Sequence, residues 1–201
     1  MTALKEIEQD LAWREAEMAV LRILLANSIL SEREKLMLYR AGWSLLYAHF
    51  EGFCKFALTV YYDSIKVMGK LRKDLPQHTK VFSLSIPLKA IRGLPADEML
   101  LAIQKFEVDH LNMPAAFPDV NTESNLWPTT LEKLLLDADI VVDSLAANNR
   151  KLATLVGRRN KIAHGERDLI TEYAYFISFE EAVISVMVEL AIRIDDRLKI
   201  L

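Results

Sequence analysis

The sequence holds one cysteine, Cys54, among 201 residues. A lone cysteine excludes an intrachain disulfide framework and a zinc site built from several thiolates. It lies in the apolar run Gly52-Phe53-Cys54-Lys55-Phe56-Ala57-Leu58 and reads as a small buried hydrophobe, not a nucleophile. Glycine and proline number six each, and no proline precedes Pro76. So few turn formers favour long helices over many short strands. No stretch of about 18 uncharged apolar residues occurs, so no membrane span is expected. The first turn carries Lys5, Glu6 and Glu8 where a secretory signal would be basic and then apolar, which makes the cytoplasm the expected compartment. A formal net charge of −3 argues against a protein that coats nucleic acid nonspecifically. His78 and His110 stand apart from any carboxylate cluster with ligand spacing, so neither a metal nor another cofactor is expected.

What is present is 52% hydrophobic and 26% charged, the balance of a globular chain. From Thr2 to Asn27, Leu4, Ile7, Leu11, Met18, Leu21, Ile23, Leu24 and Leu25 recur at helical spacing between charges. Ser31-Glu32-Arg33-Glu34 has the form of a capping box. With no proline before Gly69, it predicts a second helix of about 35 residues, roughly 50 Å long. All six prolines fall between Leu75 and Pro128. That stretch reads as an irregular insert, with short helices over Phe82–Ile91 and Ala96–His110 and a mobile loop over Met113–Asn125. Thr129-Thr130-Leu131-Glu132 predicts another capped helix. A longer one follows from Asp143 to Ala163, with Gly165 placed to end it. Ser178-Phe179-Glu180-Glu181 predicts the cap of the last helix, whose apolar stripe is Phe179, Val183, Val186, Leu190 and Ile194. The expected fold class is all-α: an up-and-down helical bundle forming a single domain over 1–201, with a Pro-rich insert at about 75–128.

Charge is spread unevenly. Lys66 to Arg92 carries seven Lys or Arg against Asp74, and Arg150 to Gly165 carries five and no acid. Asp119 to Asp143 carries six acids against Lys133. Such segments are either ordinary solvated faces or local sites for a polyanion. Trp13, Trp43 and Trp127 are not interleaved with the basic segments and read as core or anchor residues rather than base-stacking platforms.

The residues best equipped for chemistry lie in Gly157-Arg158-Arg159-Asn160-Lys161-Ile162-Ala163-His164-Gly165-Glu166. Asn160 and His164 are four apart and share a helix face, and Arg159 can lean toward it. Arg159 can grip a phosphate through its planar fork. His164 can move protons near neutral pH, and Asn160 can orient either group. Spacing alone leaves a second reading, in which His164 caps helix carbonyls and the arginines offset the negative helix end. One histidine also cannot readily serve as base and acid on opposite sides of one phosphate.

Arg159-Asn160-Lys161-Ile162-Ala163-His164 resembles the R-N-x-x-x-H signature of the HEPN superfamily. The block from Tyr39 to Phe53 resembles the MAE-like, RiboL-PSP-HEPN branch, and Thr122-Glu123-Ser124-Asn125-Leu126 is a weaker third match. The resemblance implies a HEPN-like helical-bundle homodimer in which two copies of the motif face each other. It implies a metal-independent endoribonuclease that leaves a 2′,3′-cyclic phosphate and a 5′-hydroxyl. It further implies RNA as partner, a role as toxin or antiviral defence effector, and an antitoxin or regulatory protein as a further partner. On this sequence His164 would be the acid/base group, Arg159 the phosphate ligand and Asn160 their positioner, with Arg158 and Lys161 as supporting cations. A second His164 from the partner copy would resolve the one-histidine problem. The chain departs from the toxins paired with a nucleotidyltransferase antitoxin, which carry tyrosine where Glu166 stands. A non-catalytic HEPN module that binds RNA or a partner protein is the alternative.

On the long second helix, Tyr47 and Glu51 fall within about 20° of Arg40, with Lys55 somewhat further round. Polar groups on an otherwise apolar helix need partners. Either the stripe borders the cleft, with Glu51 bracing Arg159 or another motif cation, or it is a buried structural ion pair. His49 points to the opposite side and reads as a packing histidine.

Overall fold

The computed structural model describes residues 2–27, 29–167 and 171–201. They form eight α-helices: α1 (Ala3–Leu25), α2 (Glu32–Val67), α3 (Gln77–Ser83), α4 (Ser85–Arg92), α5 (Ala96–Phe106), α6 (Pro128–Asp137), α7 (Asp143–Ala163) and α8 (Tyr173–Ile200). The fold is therefore the all-α bundle expected. At its centre lies α2, which starts at the capping box: the Ser31 hydroxyl accepts from the Glu34 amide (3.4 Å) and the Glu34 carboxylate accepts from the Ser31 amide (2.8 Å). It packs against α1, α7 and α8.

Chain neighbours in this bundle run antiparallel. Gly42 of α2 meets Leu21 of α1, while Gly52 meets Arg14. The α7 start is tied to α8 at Glu189, and Lys151 further along reaches the Ser178 carbonyl (3.0 Å). The core is lined by Trp43, Phe50, Phe53, Tyr61 and Ile65 of α2, together with Leu152 and Leu155 of α7 and Phe176, Val186, Leu190 and Ile194 of α8. Cys54 is fully buried, and burial pushes its thiol well above the ordinary range, as suits an inert packing residue. Among the described residues no helix is long and apolar enough to cross a membrane.

Several sequence expectations need correction. The helix expected over 82–91 is two helices meeting at Leu84. A helix running through Pro87 would lose a hydrogen bond and clash one turn back, so α4 restarts with Pro87 in its first turn, where a missing amide costs nothing. The helix α5 ends at Phe106 and passes into a single wide turn over Glu107–Leu111. Residues 113–125 are not loose. Leu71 bridges Pro114, the Ala115 amide reaches the Lys70 carbonyl, and the Phe117 ring lies 4.6 Å from that of Tyr62, tilted by 34°. Ala115 and Val120 are buried there.

The expected cap at Thr129 is not formed; α6 begins at Pro128, whose ring presets the first helical φ. Nor does Ser178 cap α8, which starts at Tyr173. Burial of Phe176 against Trp43, with ring centroids 5.0 Å apart, extends the helix upstream, and the Ser178 hydroxyl instead donates to the Tyr175 carbonyl within it. Trp43 is core, but Trp13 is 50% exposed and Trp127 39%. In α1, Ile23 and Leu24 face solvent.

Candidate functional site

The motif occupies the last turns of α7, and among the described residues the backbone ends the helix without side-chain caps. The Glu166 amide donates to the Lys161 carbonyl (2.9 Å) and the Gly165 amide to Ile162 (3.0 Å), with Gly165 at φ +81°. This paired closure needs a left-handed residue just past the cap, and glycine takes that conformation without steric cost. His164 is the cap residue itself. Its amide bonds the Asn160 carbonyl (3.0 Å), but its exposed imidazole makes no hydrogen bond or ion pair among the described residues. The reading in which the ring caps the helix is therefore not the geometry found.

Arg158 and Arg159 part company. Arg158 is buried: its guanidinium lies 4.7 Å from the Trp43 ring centroid and 5.3 Å from that of Tyr175, and donates to the Tyr175 hydroxyl (3.1 Å). Arg159 turns to α2. Its guanidinium sits 4.0 Å above the Tyr47 ring centroid and 3.8 Å from the Glu51 carboxylate. About a quarter of both the Arg159 and Glu51 side chains is exposed (23% each), so the pair lies at a surface rather than inside the core.

Tyr47 is itself buried and accepts a hydrogen bond from the Leu126 amide (2.8 Å). Burial raises its phenol above the ordinary tyrosine range. The Leu126 amide opposes that, the Glu51 charge adds to it, and contact with Arg159 pulls it down. Arg40 donates to the carbonyl of Glu166 and so ties α2 to the chain just beyond the motif. Asn160 is half-buried and Lys161 exposed; neither side chain has a hydrogen-bond partner among the described residues.

The structure thus brings together Arg159, Tyr47 and Glu51, with Arg40 holding the motif's exit. Arg158 is turned away into the bundle. Lys55 lies further along α2, exposed, beside Thr59, Lys66 and Pro118 around a hollow of about 280 Å³. The basic segment starting at Lys66 lies about 22 Å from Glu51 along the α2 axis, at 1.5 Å per residue. Sequence reasoning misses two contributors: Tyr175, which draws Arg158 inward, and the Leu126 amide, a backbone group whose only signal is the weak match over Thr122–Leu126.

The opposite side of α2 holds His49. It is buried, with Nε2 2.9 Å from Glu17 and Nδ1 3.5 Å from Arg14, and it meets Trp13 edge-on. Burial lowers its pKa, the Glu17 charge raises it, and the Arg14 charge lowers it again, for a net fall. It is a packed, partnered histidine. Among the described residues, no group of three or more His, Cys, Asp or Glu side chains is arranged to hold a metal ion.

Neither the curated proteins nor the solved structures contain a match to the chain. The sequence pattern of MAE_28990-like HEPN domains, by contrast, matches residues 3–200, nearly the whole length. With that match on a helical bundle that ends its α7 in Arg159-Asn160-Lys161-Ile162-Ala163-His164, the chain belongs to the MAE_28990-like HEPN family.

Proposed function

We propose that this chain is an endoribonuclease that works as a homodimer, with Arg159, Asn160 and His164 of each copy facing one RNA strand. The observation that carries the proposal is the contrast at the end of α7. The neighbouring Arg158 is held by aromatics, whereas the His164 imidazole is exposed and unpartnered among the described residues, and Arg159 keeps an exposed edge. A helix end that needed these groups only for stability would engage them with its own carbonyls. Here the backbone closes the helix, and among the described residues the imidazole has no partner.

In the proposed reaction one His164 takes the proton from the RNA 2′-hydroxyl as its oxygen attacks the adjacent phosphorus. The second His164 donates a proton to the 5′-oxygen as the P–O5′ bond breaks. The products are a 2′,3′-cyclic phosphate and a 5′-hydroxyl. Proton balance is internal, so the step draws on no metal. Arg159 binds the phosphoryl oxygens, where charge builds in the transition state. Asn160 orients the imidazole or the phosphate. The basic segment from Lys66 to Arg92 is proposed to hold backbone away from the cut. An enzyme of this kind, acting on the cell's own RNA, fits a toxin or antiviral defence effector kept silent by a regulatory protein.

The test is incubation of pure protein with RNA in EDTA, with product ends determined. Cleavage is expected, with cyclic-phosphate ends. A loss of about 10²- to 10⁴-fold is expected in His164→Ala, with the fold retained by circular dichroism. Arg159→Ala should behave alike. Tight RNA binding with no cleavage, unchanged by His164→Ala, would assign the chain instead to the non-catalytic RNA-binding modules.

A further inference from the structure

Arg159 is placed less by its own helix than by what lies beneath it. A free arginine side chain on a last helical turn samples many rotamers, and a phosphate ligand that wanders by an ångström loses most of its catalytic value. In this fold the guanidinium lies on the Tyr47 ring at 4.0 Å, and its Nε is buried with no hydrogen-bond partner among the described residues. Contact with the tyrosine, over its ring face and at its hydroxyl, holds the guanidinium. The ion pair with Glu51, at 3.8 Å, is longer than a good hydrogen bond and cannot fix that plane alone.

The ring is held in turn. Its hydroxyl accepts from the Leu126 amide at 2.8 Å, and Leu126 is fully buried. That amide points at Tyr47 because the preceding turn has an unusual path. Glu123 (φ 54°) and Ser124 (φ 68°) are consecutive non-glycine residues in the left-handed region. The turn is closed by the Asn125 amide on the Thr122 carbonyl (3.1 Å) and by the Glu123 amide on the Asn121 side chain (2.9 Å). Left-handed residues of this kind cost free energy and persist only where the surroundings fix them. Here the turn lies next to a residue that carries the site's arginine.

We infer that Tyr47 is the positioning residue for Arg159, holding the guanidinium on its ring while the 122–126 turn locks that ring through the Leu126 amide. Its kinetic consequence rests on the nuclease reading above; its geometric content does not. The inference makes the 122–126 turn part of the site's framework although it contributes no side chain to the chemistry.

The test separates the two layers. In 15N-labelled protein the Arg159 Hε resonance should lie upfield, shielded by the ring face. Tyr47→Phe, which keeps the ring but removes the hydroxyl that the Leu126 amide holds, should lose part of that shift, and Tyr47→Leu should abolish it. In RNA cleavage, measured well below each variant's Tm, Tyr47→Leu should lower kcat by about 10- to 100-fold, the range expected for a displaced positioning contact. Tyr47→Phe should recover part of that loss, the remainder being the share carried by the Leu126 contact. In an Arg159→Lys background Tyr47→Leu should cost almost nothing further, because residues acting through one another are not additive. A purely structural Tyr47 would lower Tm and leave this coupling absent.

An Arg159 Hε shift that is the same in wild type and in Tyr47→Leu would overturn the inference, as would equal losses of kcat in both backgrounds. Should Tyr47→Leu fail to fold, Tyr47→Phe decides with the same two readouts: a freely averaging Arg159 in wild type, or a Phe variant whose loss persists in Arg159→Lys, rejects the proposal. A wild-type protein that cuts no RNA would remove the nuclease reading, and the resonance shift would still decide the positioning role.

Discussion

Arg158 donates a hydrogen bond to the hydroxyl of Tyr175 across 3.1 Å, joining the end of α7 to the start of α8. The residue one place along, Arg159, faces α2 instead. Adjacent positions on a helix point about 100° apart, so two neighbouring arginines cannot serve one face equally. The bundle takes the first and leaves the second at the surface. Arg158→Ala is therefore expected to lower stability by about 2 kcal/mol, from the lost stacking on Trp43 and the phenol left unpaired. In a chain of this size that is a fall in Tm of roughly 4–8 °C. Arg159→Ala should cost less, about 0.5–1 kcal/mol, from the contact with Tyr47 and the partly exposed pair with Glu51. Calorimetry of the two variants checks the pair, and equal losses of stability would refute the division of labour.

Much of this arrangement is readable in the sequence, and the part that is not has physical causes. The capping box at Ser31 and the lack of proline before Gly69 mark α2 because both act locally. Gly165 marks the end of α7 for the same reason. Helical spacing places Tyr47 and Glu51 on one stripe, and the structure puts both against Arg159. What escapes is decided at long range. The α8 start moves upstream because Phe176 finds Trp43, which lies 133 positions earlier in the chain. Which arginine turns inward depends on Tyr175 across the bundle. The Leu126 amide that locks Tyr47 is backbone, so no residue type announces it.

Glu51 stands where a phosphate held by Arg159 would compete with it. The pair is loose and partly exposed, so the carboxylate both restrains the guanidinium and repels an incoming anion. Glu51→Gln removes the charge and keeps the shape. It should tighten binding of a non-cleavable 2′-deoxy oligonucleotide by roughly two- to fivefold at low salt, an amount set by solvent screening of an exposed pair. The gain should shrink as salt rises. Fluorescence anisotropy at two ionic strengths measures it. Weaker binding by the variant would show that restraint outweighs repulsion.

The ion pair between Arg22 and Glu180 clamps α1 to α8 at 2.9 Å, with Glu180 only 1% exposed. Burial raises the Glu180 carboxyl above its ordinary value, and the Arg22 charge opposes that. A raised carboxyl binds its proton more tightly folded than unfolded, so the cost of the buried charge grows as pH rises through the carboxylate range. Arg22→Met strands that charge. The loss should be about 2 kcal/mol at pH 7, below the figure for a fully buried pair because Arg22 is 40% exposed. It should narrow as pH falls through the raised range in which Glu180 takes up a proton. A Tm gap between variant and wild type that stays constant from pH 4 to 7 would mean the carboxyl is already neutral in the native protein.

Helix α7, which carries the motif at its far end, has no side-chain cap of its own; Val142 occupies the cap position. The cap comes from α8. The Glu189 carboxylate accepts from the amides of Asp143 (3.1 Å) and Ser144 (2.8 Å) and pairs with Arg193 (3.0 Å). Burial pushes this carboxyl up, yet Ser144, the Asp143 amide and Arg193 together hold it at about 2. A depressed carboxyl stabilises the fold above its unfolded value, near 4.5, and that contribution disappears as pH falls from there through about 2. Glu189→Gln keeps one acceptor and loses the charge that favours a helix N-terminus. It should cost about 1 kcal/mol at pH 7, the usual worth of an N-cap. Wild type and variant should converge in Tm as pH approaches 2. Hydrogen exchange at the first amides of α7 gives a local reading: faster exchange in Glu189→Gln at pH 7, with the end of the helix near His164 unaffected, is the expected pattern. Equal protection of the Asp143 and Ser144 amides in both proteins would show that α7 is capped by something other than this cross-helix contact.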